Sequence, residues 1–147
     1  EARRRAIAKL YEQQFAHINN WDLVDLSAPT ILGAAHTPET LLPKLRRWAV
    51  SDHLWTRRIA VLGTFPFTRQ GNPAPLIEIA DLLVGDEHDL IHKAVGWMLR
   101  ELGKKCGQPV LEAYLLPRYA TMPRTMLRYA IERFPENRRQ AFLKGTA

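Results

Sequence analysis

His88-Asp89-Leu90-Ile91-His92-Lys93-Ala94-Val95-Gly96-Trp97-Met98-Leu99-Arg100-Glu101-Leu102 is the stretch on which the fold turns. Ile91, Ala94, Val95, Met98, Leu99 and Leu102 recur at three- and four-residue intervals, the spacing of one face of an α-helix. Gly85-Asp86-Glu87-His88-Asp89 supplies an acidic start and Gly107-Gln108-Pro109 a stop, so the pattern predicts a helix over about 88–105. Such a helix has an apolar side that must be covered by neighbours.

Those neighbours recur along the chain. Helices beginning near Pro38, Pro73 and Pro109 each precede a partner beginning near Asp52, His88 and Pro123. The starts are 35 and 36 residues apart in the first series and 36 and 35 in the second. Helix pairs at that period predict an α-solenoid of HEAT-like repeats. No alternating apolar–polar run bounded by hairpin turns is present, so the fold class is all-α, with residues 1–147 as a single domain. In a solenoid the second helices line a concave face. Arg58, Lys93 and Arg124 or Arg128 fall at similar depth in them and predict a basic groove.

Other segments follow the same grammar. Ala6, Ile7, Leu10, Tyr11 and Phe15 predict a helix over 2–18, and a short one runs from about Asn20 toward Ser27, with Pro29 as an interruption or kink. Thr37-Pro38-Glu39 is an N-cap, a Pro at the first position and an acid in the first turn. The helix containing Leu54, Ile59, Val61 and Leu62 is expected to end before Pro66, and Pro135-Glu136-Asn137 opens the last one. Solenoids shield their ends with capping repeats, and this chain starts on a helix without Met; it is expected to be the C-terminal portion of a longer protein.

Composition is that of a soluble globular protein, 46% hydrophobic and 24% charged, with no apolar run of membrane-spanning length and no visible signal peptide. A single cysteine, Cys106, excludes an internal disulfide and suits a reducing cytoplasm. The net charge of +6 is unevenly placed. Residues 1–97 carry 11 basic and 11 acidic side chains, residues 98–147 carry 10 and 4. A local basic excess suits a polyanion such as nucleic acid, although many helical proteins carry basic faces that bind nothing.

Chemistry concentrates in Asn19-Asn20-Trp21-Asp22-Leu23-Val24-Asp25. On a helix Trp21 and Asp25 share a face at i and i+4, a carboxylate beside an indole plane that suits a cation. Asp22 points about 100° away and complements the helix dipole, with Asn19 or Asn20 as cap. Lys93 and Trp97 share another face, with Arg100 one turn on, a pattern able to contact phosphate while stacking on sugar or base. Each Trp alone is more often core, and Gly96 most often permits close helix packing. His88 and His92 stand at i and i+4 without a third ligand, so neither a metal nor a cofactor is expected.

Four segments carry a resemblance: Trp21-Asp22-Leu23-Val24-Asp25, Leu54-Trp55-Thr56-Arg57-Arg58-Ile59-Ala60, Asp89 to Glu101, and Met122-Pro123-Arg124-Thr125-Met126-Leu127-Arg128-Tyr129-Ala130-Ile131-Glu132. In order and spacing, from about Asn19 to the C-terminus, they resemble the bacterial DNA alkylation repair glycosylases built from HEAT-like repeats, the AlkD family. The resemblance implies removal of positively charged purines, such as 3-methyladenine and 7-methylguanine, from duplex DNA in base excision repair. It implies Asp25 as catalytic carboxylate, Trp21 and Trp97 as aromatic walls, and Arg58 on the DNA backbone near the lesion. Lys93, Arg100, Arg124 and Arg128 are the further DNA-binding candidates. The implied partner is double-stranded DNA with alkylated bases, met by a monomer in the cytoplasm at the nucleoid. No Lys is placed for a Schiff base, so no strand cleavage is expected. Two alternatives use the same repeats: a non-catalytic DNA-binding HEAT protein, and a protein-binding scaffold.

Overall fold

A computed structural model describes all 147 residues. It is all-helical, with no strand. The helices are α1 (Ala2–Gln13), α2 (Trp21–Asp25), α3 (Ala28–Ala35), α4 (Pro38–Ala49), α5 (Leu54–Leu62), α6 (Phe65–Arg69), α7 (Ala74–Leu83), α8 (Asp89–Cys106), α9 (Gln108–Leu115), α10 (Arg124–Ala130) and α11 (Glu136–Lys144). No helix is long and apolar enough to cross a membrane.

Local chemistry accounts for most boundaries. Thr37 precedes α4 as a capping box, its N–H donating to Thr40 Oγ1 at 2.9 Å, with Pro38 at the first helical position. His88 Nδ1 accepts from the Leu90 N–H at 3.1 Å and starts α8. Gly107 ends α8 at φ +105°, a conformation that favours glycine. Ile91, Ala94, Val95, Met98, Leu99 and Leu102 are all buried, and the core is one continuous cluster from Phe15 to Phe142.

Two rows of helices result. α4 packs on α7, while α2 packs on α5, α5 on α8 and α8 on α10; α4–α5, α7–α8 and α8–α9 cross-link the rows. From α5 to α10 the second row runs in one direction. Arg58 of α5 meets Leu90 of α8 while Phe65, further along, meets Trp97; Met126 of α10 lies against Gly96 while Glu132 meets Arg100. Four charge pairs join successive helices of the same side at nearly constant separation: Lys44 with Glu12, Arg46 with Glu78 and Arg100 with Glu132 are 32 residues apart, Arg58 with Asp25 33.

The structure corrects several boundaries. The helix expected over 2–18 stops at Gln13 and tightens into a 3₁₀ turn at Phe15–His17. The helix at Asn20 ends at Asp25 rather than Ser27, and Pro29 lies in the first turn of a separate helix, where its missing N–H needs no partner. Pro66 likewise opens α6 instead of only ending α5. Ile7 and Leu10 follow helical spacing yet remain exposed, because α1 packs mainly on α3 and nothing covers its other side.

Candidate functional site

Asn20 sets the geometry of α2. Its Oδ1 accepts from the N–H groups of Asp22 at 2.8 Å and Leu23 at 3.4 Å, which satisfies two of the donors left open at a helix start. Asp22 occupies the first turn and is exposed, where its charge complements the helix dipole. Val24 is fully buried and anchors the turn, so Trp21 and Asp25 are left on a common face. Trp21 is 53% exposed. Asn20→Ala is expected to cost about 1 kcal/mol, read as a lower urea midpoint with an unchanged m value.

Asp25 is held by a distant residue. Arg58 donates from Nε to Asp25 Oδ1 and from Nη2 to Oδ2, each at 2.8 Å, and from Nη1 to the Leu90 carbonyl at 2.6 Å. The two side chains are only 7% and 12% exposed. The bidentate fork fixes the carboxylate plane. Each Asp25 oxygen retains a lone pair, and Arg58 retains two N–H groups. Arg58 is therefore a nearly buried link between α2, α5 and α8, with three donors committed inside the protein.

Tyr11, from α1, borders the same group. Its hydroxyl donates weakly to the Leu23 carbonyl at 3.4 Å, and burial, followed by the negative charge of Asp25, pushes its phenol well above the ordinary range. Tyr11, Gln14, His17, Ile18, Leu23 and Ser27 line a cavity of about 300 Å³ beside α2. Sequence patterning placed Tyr11 only among apolar positions of α1; nothing local marks it as a neighbour of a residue 14 positions away.

Trp97 is half-buried, tilted against Phe65 of α6 at 6.4 Å between ring centroids. No local signal singles out Phe65, because the sequence marks its turn only as the end of α5 before Pro66. Gly96 lies where a Cβ would come within 2.6 Å of both the Met126 carbonyl and Tyr129 Cβ, so the close helix approach expected there is present.

The basic candidates differ in how free they are. Lys93 is half-exposed and pairs with Asp89 at 2.9 Å; that hydrogen bond holds its ammonium above the ordinary value, with Tyr129 and Arg58 acting more weakly nearby. Arg100 pairs with Glu132. Arg128 is exposed and shares an open cavity of about 480 Å³ with Arg100, Tyr129 and Glu132. Arg124 turns the other way and donates to the Leu143 carbonyl of α11 at 2.9 Å. Thus α5, α8 and α10 gather Arg58, Lys93, Arg100 and Arg128 on adjoining helices, with Arg124 directed to the C-terminal helix. His88 caps α8 and His92 contacts the Asp86 carbonyl, so both rings serve the loop before α8.

A family model described as DNA alkylation repair enzyme matches residues 1–134. That span takes in α1 and Tyr11, ahead of the segments quoted from Asn19 onward, and ends just before α11. A search of the curated proteins gives no match.

Proposed function

The chain belongs to the DNA alkylation repair enzyme family, and from that premise we propose that it is a monofunctional DNA glycosylase of base excision repair, acting on cationic alkylated purines in duplex DNA. The observation that carries this reading is a single carboxylate, Asp25, clamped on both oxygens by Arg58 and standing one helical turn from the exposed indole of Trp21.

The fold proposed with it is a HEAT-like α-solenoid whose second helices, α2, α5, α8 and α10, line a DNA-facing groove. Support comes from their nearest-neighbour stacking and from four charge pairs 32 or 33 residues apart that join successive helices of one side.

The chemistry asks for little acid catalysis. Alkylation leaves the purine positively charged, so when the N-glycosidic bond breaks its electron pair neutralises the departing base. Positive charge then develops on the deoxyribose, and a fixed carboxylate with electron-rich indole faces stabilises it. Water completes the reaction at C1′, losing its proton to Asp25 or to solvent. Both oxygens of Asp25 already accept from a guanidinium that fixes them in place, so its larger role is electrostatic. Arg58 positions it, and its two remaining N–H groups are available to a phosphate. Trp97, backed by Phe65, supplies the second aromatic wall.

The test is release of 3-methyladenine and 7-methylguanine from methylated duplex DNA. Free base with intact strands is the expected result. Salt-dependent DNA binding without base release would favour the non-catalytic alternative, and absence of DNA binding would favour a protein scaffold.

A further inference from the structure

Lys104 extends the stripe that Lys93, Trp97 and Arg100 form along α8, the four standing at i, i+4, i+7 and i+11. Where the stripe ends, α8, the start of α9 and the segment after α10 enclose a notch of about 250 Å³. Its floor is apolar, made by Leu111, Ala130 and Phe134. Three cations line it, Arg100, Lys104 and Arg133, and no carboxylate does. Gln108 also borders it, but its amide donates to Glu112 at 2.8 Å, and Arg138 meets that carboxylate in turn, at 2.8 Å.

Three like charges around a small cavity repel one another, and the low-dielectric floor strengthens the repulsion. Arg100 shows the consequence. Its Nε is buried without a hydrogen-bond partner, while its Nη1 pairs outside the notch with Glu132, whose side chain is 59% exposed. A buried guanidinium N–H left unpaired is unfavourable, and an exposed carboxylate is easily exchanged for another anion. Lys104 lies about 10 Å along the helix axis from Trp97, equivalent to roughly three base steps of a DNA strand.

On the DNA-binding reading above, we propose that this notch seats one backbone phosphate on Arg100, Lys104 and Arg133, and that Glu132 is an internal stand-in which the phosphate displaces from Arg100. Guanidinium forks match phosphate oxygens in pairs, and Lys104 adds a point charge at the rim. Glu132 occupies Arg100 in the free protein and so lowers its attraction for any passing anion.

Binding of the full chain to an undamaged duplex, followed by fluorescence anisotropy across a salt series, tests this. Lys104→Gln combined with Arg133→Gln should flatten the slope of log K against log salt by up to about 0.9, the share of one phosphate, and each single change should flatten it by a part of that. Glu132→Gln should tighten binding about two- to fivefold at low salt. Arg139→Gln removes a charge from α11 that pairs with Glu136 and does not line the notch, and should leave the slope unchanged. Unchanged slopes for both notch variants would overturn the seat, as would an equal flattening by Arg139→Gln, the mark of a net-charge effect. No tightening in Glu132→Gln would overturn the stand-in. Inorganic phosphate is titrated in parallel; if it binds the wild type while the notch variants keep the wild-type DNA slope, the notch is a free-anion pocket. No base is released in these assays, so a protein that shows the slopes but no glycosylase activity keeps the seat and loses the catalytic proposal.

Discussion

Asp25→Asn is expected to reduce release of 7-methylguanine and 3-methyladenine by about 10²- to 10³-fold, the effect of removing one preorganised electrostatic group from a reacting centre. Stability falls as well. Asn can accept one hydrogen bond from Arg58 but brings no charge, and a nearly buried guanidinium stripped of its partner costs about 3–5 kcal/mol. That is a large share of the roughly 5–15 kcal/mol that holds a domain of this kind together. Asp25→Asn combined with Arg58→Gln removes both charges, and losing the whole pair is far less costly than losing half of it. The double variant should therefore melt closer to the wild type and remain inactive. Single-turnover release on methylated duplex, beside a thermal melt, separates the two effects. A well-folded double variant that releases base at the wild-type rate would remove Asp25 from the mechanism.

Gly96→Ala should lower stability by about 2–3 kcal/mol, near the upper end of the usual cost of overpacking. The new Cβ would come within 2.6 Å of the Met126 carbonyl, which is backbone and cannot rotate aside, and equally close to Tyr129 Cβ. Alanine's better helix propensity, about 1 kcal/mol over glycine, offsets only part of this. Gly85→Ala is the matched control, since nothing lies within 4 Å of the position and no positive φ is required there. Its melting temperature should stay close to the wild type, while that of Gly96→Ala falls by several degrees. Equal melting temperatures would mean that α8 and α10 tolerate separation. The same displacement would move Tyr129 and Arg128 relative to Trp97, so DNA binding should weaken together with stability.

Local signals carried far in this chain. Thr37-Pro38, Asn20 and Gly107 each act within a few residues through a cap or a permitted dihedral, so their roles are legible from residue type and position. Ile91, Ala94, Val95, Met98, Leu99 and Leu102 are buried, as their helical period predicts. Errors cluster where the same residue type has two uses. Pro29 and Pro66 were expected to interrupt or end a helix, but each sits in the first turn of a new one. Ile7 and Leu10 have the spacing of a buried face, but spacing cannot tell whether a neighbour covers it.

What the sequence by itself determined is the all-α class, most of the helices, and the adjacency of Trp21 to Asp25 on one face, because these depend on interactions within about one turn of backbone. Only the tertiary structure decided that Asp25 is clamped by Arg58, that Phe65 backs Trp97, that Tyr11 borders the carboxylate, and that Arg100 is held by Glu132 beside a cluster of cations. Those contacts join groups from separate helices. Which of many equally spaced charges meet is settled by how the rows pack, and ion pairing follows that packing rather than directing it.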